Sequence, residues 1–195
     1  FVKTVEINPG YINAYVPLGQ LESNNAKSIE YYNKAIELDP GQEKAHYGIG
    51  AIYLRQEKFN SAAAAFKNAV EADPEYLQAW VGLGRSLAGA NKDSQAVEAL
   101  KKATTFNPRR KKGKGQVAAA WFHLAEIYNK ESQKQYSNAL NAATESLKLE
   151  KYYRNSAGAY FEKGFALMNL GRKQEAKQSF EKAKSDRSWL SRAQH

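Results

Sequence analysis

Few residues in this sequence have the types and spacing that catalysis or metal binding requires. His123 and Glu126 stand three residues apart, so on a helix both side chains would lie on one face and could bind one cation. A metal site needs more ligands, and no second pair of this kind is evident. His46 occupies a position that apolar or aromatic residues fill elsewhere, and His195 is terminal. We therefore predict no metal, no cofactor and no enzymatic activity.

A short glycine-lysine motif resembles part of a nucleotide-binding P-loop but lacks its essential residues. Gly113, Lys114 and Gly115 supply the central Gly-Lys pair. Pro108 stands where the upstream glycine belongs, and Gly115 replaces the Ser or Thr whose hydroxyl binds Mg²⁺. The sequence therefore does not predict a P-loop.

The positive charge is concentrated in one segment. The chain carries a formal net charge of +9, and residues 99–125 contain seven basic residues and no acidic one. Such a segment could bind an acidic protein, nucleic acid or anionic lipid, or serve as a nuclear-import signal, and it could also be a solvated loop. No aromatic residue is interleaved with the cations, which disfavours base stacking. The central cations are Arg109, Arg110, Lys111, Lys112 and Lys114.

Composition limits the remaining possibilities. The 195 residues are 43% hydrophobic and include no cysteine, which excludes disulfides and thiolate metal sites. No apolar run approaches the roughly 18 residues that a membrane span needs. No signal peptide is visible, and targeting signals would lie outside this piece of the protein. The compartment is therefore unknown, with a soluble, cytoplasmic protein as the best guess.

The elements that must position these side chains follow a repeated order of residue types. Trp80, Leu83, Gly84 and Leu87 fall at i, i+3, i+4 and i+7, which is one apolar face of a helix. Because glycine weakens a helix, its recurrence at one position predicts close approach between paired helices. That position is filled by Gly19, Gly50, Gly84 and Gly164, and the second helices carry Ala62, Phe66 and Ala69 or their counterparts.

This order resembles the tetratricopeptide repeat (TPR), a helix–turn–helix unit of about 34 residues. Pro40, Pro74 and Pro108 are 34 residues apart and close successive repeats. The resemblance implies an all-α, right-handed superhelical solenoid of antiparallel helix pairs with about five repeats. It also implies that the first helix of each pair lines a concave groove.

We predict a single solenoid over residues 1–195. Its start inside the second helix of an earlier repeat indicates a piece of a longer protein and an uncovered apolar end that could self-associate. Pro17 is expected to lie inside one first helix, where it removes a hydrogen bond and kinks the helix. The segments are 1–9 (end of a preceding repeat), 10–40, 41–74 and 75–108 (repeats one to three), 109–117 (a basic inter-repeat loop), 118–151 and 155–187 (repeats four and five), and 188–195 (a capping or further helix packed through Trp189).

The resemblance also assigns a candidate binding surface, which we call the groove stripe. It starts one residue after the aromatic position of each first helix and continues four and seven residues later. Its apolar members could anchor a partner peptide or helix, or pack against the next repeat. Lysine is missing from the first position of the stripe in every repeat, and asparagine is missing from the position four residues later. A clamp for chaperone C-terminal carboxylates is therefore not favoured. The members predicted to contact a partner are Val16, Gln20, Tyr47, Ala51, Leu54, Val81, Arg85, Phe122, Glu126, Asn129, Phe161 and Phe165, and Ser23, Ala88 and Met168 complete the stripe.

The function we predict is a scaffold that binds another protein in this groove. One alternative is an electrostatic adaptor that uses the basic residues 109–114. Another is the regulatory or docking arm of a larger enzyme. The partner's identity does not follow from the sequence.

Overall fold

The structure is a computed structural model that describes residues 2–153 and 155–184. This part of the chain contains eleven α-helices, one 3₁₀ turn and no β-strand, which confirms the all-α prediction. The helices are α1 (Val2–Ile7), α2 (Ile12–Leu21), α3 (Asn25–Leu38), α4 (Glu43–Arg55), α5 (Phe59–Ala72), α6 (Leu77–Gly89), α7 (Asp93–Thr104), α8 (Lys111–Asn129), α9 (Tyr136–Lys148), the 3₁₀ turn Glu150–Tyr152, α10 (Ser156–Asn169) and α11 (Lys173–Lys184).

The contacts divide the chain into two compact units, residues 1–92 and 93–195. In the first unit α2 packs on α3 and α4 on α5, and the first helices α2, α4 and α6 also contact one another in succession. In the second unit α8 packs on α9 and α10 on α11, and α8 contacts α10 directly. Each unit is therefore built from helix–turn–helix pairs, while the single continuous solenoid over 1–195 stays a prediction.

Aromatic rings from the second helices lie against three of the recurring glycines, Gly19, Gly50 and Gly164. Phe66 of α5 is 2% exposed and lies between Gly50 of α4 and Gly82 of α6. A Cβ atom would approach its ring to 2.9 Å at Gly50 and to 2.6 Å at Gly82, so neither position has room for a side chain. The predicted close approach at the glycine position is thus confirmed, and the second glycine of each sandwich was not predicted. The same arrangement places Tyr32 between Gly19 and Gly48, and Phe180 against Gly164.

The side chain at the aromatic position of a first helix is hydrogen-bonded to the proline that ends the preceding repeat. In three successive repeats the ring donates a hydrogen bond to a proline carbonyl six residues earlier in the chain. Because a carbonyl only accepts, His46 must donate from Nε2, which gives this histidine a structural role. The bonds join Tyr15 Oη to Pro9 (2.8 Å), His46 Nε2 to Pro40 (2.9 Å) and Trp80 Nε1 to Pro74 (2.8 Å).

The turn within each of the four later repeats uses one residue with positive φ. After α4 this residue is Glu57, with φ of 56°, and the following amide of Lys58 donates to the Tyr53 carbonyl at 2.9 Å. This pattern ends a helix and reverses the chain. The first repeat has a shorter turn, in which Asn24 caps α3, and Pro17 lies inside α2 as predicted. The counterparts of Glu57 are Asn91, Lys134 and Gly171.

The predicted basic loop over residues 109–117 is largely helical, because α8 begins at Lys111. Its glycines were interpreted as signals of a loop, but they permit close packing instead. A Cβ atom at Gly115 would lie 2.5 Å from the carbonyl oxygen of Tyr152, and one at Gly113 would collide with the Pro108 side chain. Helix α8 is therefore extended by two turns that pack against the 3₁₀ turn. The helix predicted over 188–195, with Trp189, lies outside the described residues.

Candidate binding faces

The groove stripe is divided by burial into three sets. For Val16, Val81 and Phe122 the packing interpretation holds, because these side chains lie in the interior and cannot reach a partner without rearrangement. Asn129 is buried as well. The half-buried members are Tyr47, Ala51, Leu54, Glu126 and Phe161, and the exposed members are Gln20, Arg85 and Phe165.

In the first unit the stripe is centred on Tyr47 of α4. Its ring lies 5.5 Å from that of Phe66 and 5.1 Å from that of Tyr76. Burial raises the pKa of the Tyr47 hydroxyl, and the positive charges of Arg85 and Arg55 oppose this rise. An aromatic surface beside two exposed guanidinium groups results, and it can contact apolar and acidic side chains together.

In the second unit the stripe carries a polar network between α8 and α10. His123 Nδ1 and Glu126 Oε2 are 2.6 Å apart. One helical turn further on, Asn129 Nδ2 donates to the backbone carbonyl of Glu162 at 2.9 Å and to its carboxylate at 2.8 Å. Among the described residues no three His, Asp or Glu side chains are grouped so that they could hold a metal ion. The network therefore joins two first helices through hydrogen bonds.

Glu162 has an unusual protonation state for a glutamate. Burial, with a smaller contribution from the charge of Glu126, raises the pKa of the Glu162 carboxyl to about 7, although the Asn129 hydrogen bond acts in the opposite direction. Asn129 Oδ1 is buried without a hydrogen-bond partner in the described part of the chain. A protonated carboxyl can donate as well as accept, so protonation of Glu162 would supply a hydrogen-bond donor, which is the kind of group that Asn129 Oδ1 lacks. Sequence reasoning predicted Asn129 as a partner contact and missed its link to Glu162, 33 residues away.

Helix α10 also exposes large apolar side chains. Phe165 is 39% exposed and Met168, which follows it on the stripe, is 46% exposed. The Tyr136 ring stands edge-on to Phe165 at 6.4 Å and borders a cavity of about 220 Å³ that Leu170 also lines. This is an apolar surface with an adjoining recess.

The basic residues at the start of α8 line an open cavity of about 410 Å³. Lys111 and Lys112 form one side, and the other comes from Lys151, Tyr152 and Tyr153 in and just after the 3₁₀ turn. Sequence reasoning singled out the cations near residue 111 but missed the second wall, because nothing in the spacing relates segments 40 residues apart. Lys114 lies over the Tyr152 ring, 5.1 Å from its centroid, while Arg109 and Arg110 are exposed just before the helix.

A membrane-crossing helix would have to be longer and more apolar than any helix in the described residues.

Comparisons with known proteins agree with the repeat pattern. Models described as "Tetratricopeptide repeat" match residues 47–111 and 157–185, and one described as "TPR repeat" matches residues 13–57, so together they cover well over half of the chain. No curated protein sequence matches significantly.

Solved structures share the fold at low sequence identity. YrrB, described as a TPR protein with an unusual peptide-binding site, is 22% identical, with a TM-score of 0.72 over 94% of this chain and 90% of that one. MamA is 22% identical, with a TM-score of 0.73 over 93% and 94%. The Cut9–Hcn1 hetero-tetramer of the APC/C gives 16% identity and a TM-score of 0.67, covering 93% of this chain but 34% of that one. The chain belongs to the tetratricopeptide repeat family, whose helix pairs form non-enzymatic scaffolds for protein interaction.

Proposed function

We propose that this chain binds a segment of another protein on the accessible part of the groove stripe. The observation that carries the proposal is the exposure of Phe165 and Met168, at 39% and 46%, one turn apart on α10. Large apolar side chains placed side by side at the surface are typical of protein-binding sites. YrrB is described as having a peptide-binding site and Cut9–Hcn1 as a hetero-tetramer, which supports the same class of ligand.

A partner segment that suits the second unit has apolar anchors. Phe165 and Met168 would contact the anchors, and the adjoining recess beside Tyr136 could admit one further side chain. The first unit, considered by itself, offers the Tyr47 ring and the exposed Arg85 guanidinium, which favour a carboxylate on a segment bound there. Gln20 is exposed and can form hydrogen bonds with a peptide backbone.

The test is selection of peptides from a displayed random library on the 195-residue chain, followed by affinity measurements with purified peptides. We expect the double variant Phe165→Ala, Met168→Ala to lose about tenfold or more in affinity, since two apolar contacts disappear. Arg85→Gln should weaken peptides that contain an acidic residue and leave the others unchanged.

The matched control removes two other exposed apolar side chains. Leu21 and Leu38 are 76% and 45% exposed and lie outside the stripe. Leu21→Ala, Leu38→Ala should leave the affinity within about twofold. Peptides whose affinity falls equally in both double variants, or a selection that yields no peptide, would contradict the proposal.

A further inference from the structure

The cavity at the start of α8 brings several like charges together. Lys111 and Lys112 line it from the helix, and Lys151 lines it from the 3₁₀ turn. Two ammonium groups, those of Lys114 and Lys151, each lie 5.1 Å from the centroid of the Tyr152 ring. Because like charges repel, their convergence raises the free energy of the folded chain unless an anion is bound.

Neighbouring acidic side chains do not neutralise this pocket. Glu150 accepts a hydrogen bond from the Tyr160 hydroxyl at 3.0 Å, and Glu145 pairs with Lys148 at 2.5 Å. None of the salt bridges between described residues includes a cation of the pocket. The four cations Lys111, Lys112, Lys114 and Lys151 outnumber the one adjacent carboxylate, Glu150, so the pocket has an excess of positive charge.

Close backbone packing holds the two walls together. At Gly115 a Cβ atom would lie 2.5 Å from the Tyr152 carbonyl oxygen, so only glycine lets α8 approach the 3₁₀ turn this closely. The backbone positions from which the lysines of both walls extend are thus fixed by the fold before any ligand arrives. This distinguishes the pocket from a flexible basic tail, which would gather its charges only around a polyanion.

We propose that this pocket binds the phosphate group of a phosphorylated side chain on a protein partner. A phosphate monoester carries nearly two negative charges and three acceptor oxygens, so it can bind several ammonium groups at once. A single carboxylate has one charge and two oxygens, which would leave most of these cations without a partner. The tetratricopeptide family makes a protein the expected carrier of the group.

The same geometry disfavours single-stranded nucleic acid, which such sites bind by stacking bases on free aromatic rings. The Tyr152 ring already has two ammonium groups over it. The Tyr153 ring packs 5.9 Å from that of Phe122, a buried residue of α8. Neither ring therefore has a free face on which a base could stack.

The experiment titrates the 195-residue chain with three capped tripeptides, acetyl-Gly-Xaa-Gly-amide, in which Xaa is phosphoserine, serine or glutamate. We expect phosphoserine to cause saturable NMR shifts at residues 111–115 and 151–153. Its affinity should exceed that of the glutamate peptide by about fivefold or more, because a dianion contacts more lysines. The serine peptide should cause no saturable shift.

Two triple variants, each removing three positive charges, separate a specific pocket from general electrostatics. Lys111→Gln, Lys112→Gln, Lys151→Gln should weaken phosphoserine binding by about tenfold or more. The control Lys3→Gln, Lys27→Gln, Lys177→Gln changes exposed lysines elsewhere and should alter binding by less than about twofold. Gly115→Ala keeps every charge but separates the walls, so it should also weaken binding; circular dichroism verifies that each variant stays helical.

Several results would overturn the proposal. Equal losses of affinity in the two triple variants would show that net charge alone accounts for the binding. Equal affinity for the glutamate and phosphoserine peptides would remove the preference for phosphate. Pocket-dependent binding of an oligo-dT strand or of phosphatidylserine vesicles, without binding of the phosphoserine peptide, would assign the pocket to nucleic acid or lipid.

Discussion

The two units pack their helix pairs in different ways. In the first unit an aromatic ring lies between two glycines, as Phe66 does between Gly50 and Gly82. In the second unit Phe180 lies against Gly164, but the α8–α9 pair has the buried Ala125 and Ala143 at the glycine and phenylalanine positions and so supplies no ring there. Both units contain a buried bond from a second-helix serine to a first-helix carbonyl, Ser28 to Gly19 and Ser146 to Ala118, and the second unit also has the bond from Asn129 to the Glu162 carboxylate.

The difference that matters for pH is that a buried carboxyl group, that of Glu162, takes part in the packing of the second unit. Ring-on-glycine packing depends on shape alone and should be indifferent to pH. A buried bond to a carboxyl group depends on the protonation state of that group. The second unit should therefore respond to pH in a range where the first does not.

The largest expected effect is the loss of the ring in the first unit. Phe66→Ala should lower the free energy of unfolding by about 3–5 kcal/mol, because a fully buried ring leaves a cavity between two glycines that cannot fill it. Phe180→Ala should cost less, since this ring is half-buried. Urea unfolding followed by circular dichroism measures both. Equal losses would show that the glycine sandwich adds nothing to ordinary packing.

A smaller effect is expected from filling one glycine. Gly82→Ala should destabilise the chain by about 1–3 kcal/mol through overpacking against Phe66, despite the gain of roughly 1 kcal/mol in helix propensity.

The matched change in the second unit is Ala125→Gly. It should cost about 2 kcal/mol, about 1 from the lower helix propensity and about 0.8 from the loss of a buried methyl group, without forcing any ring to move. Thermal unfolding of the two variants compares them. A stabilising Gly82→Ala would mean that the Phe66 ring can move aside.

The smallest effect separates the units by pH. Because the folded-state pKa of Glu162 is raised from 4.5 to about 7, the folded state retains a proton that the unfolded state loses in this range. The free energy of unfolding should therefore fall as pH rises from about 4.5 to 7 and then level off. Glu162→Gln should abolish this part of the pH dependence, so the variant should be more stable than the unaltered chain at pH 8 but not at pH 4.5. Unchanged pH dependence in the variant would assign the effect to other groups.

Sequence reasoning predicted the elements well where the residue types carry a local physical meaning. The glycine position and the apolar spacing of residues such as Trp80 and Leu83 predicted the helices and the close approach between them. The prolines that follow Asp39 and Asp73 correctly marked where second helices end.

The predictions were wrong or incomplete where the role of a residue depends on contacts between distant segments of the chain. Gly113 and Gly115 indicated a loop because glycine is usually flexible, but here they accommodate Pro108 and Tyr152. Phe122 was placed on the binding stripe because its helical position matched, although neighbouring elements bury it to 2% exposure. Lys151 could not be joined to Lys111 from the sequence, since no periodicity relates the repeat helices to the 3₁₀ turn.

The hydrogen bonds from aromatic rings to proline carbonyls have a consequence for cooperativity. The proline that closes one sequence repeat accepts a bond from the first helix of the next, as Pro74 does from Trp80. A repeat boundary drawn at the proline therefore divides a hydrogen-bonded segment of the chain. A fragment cut immediately after Pro40 or Pro74 would remove the acceptor from His46 or Trp80 and leave a frayed helix at its new end. Each of these prolines therefore helps to stabilise the first helix of the repeat that follows it.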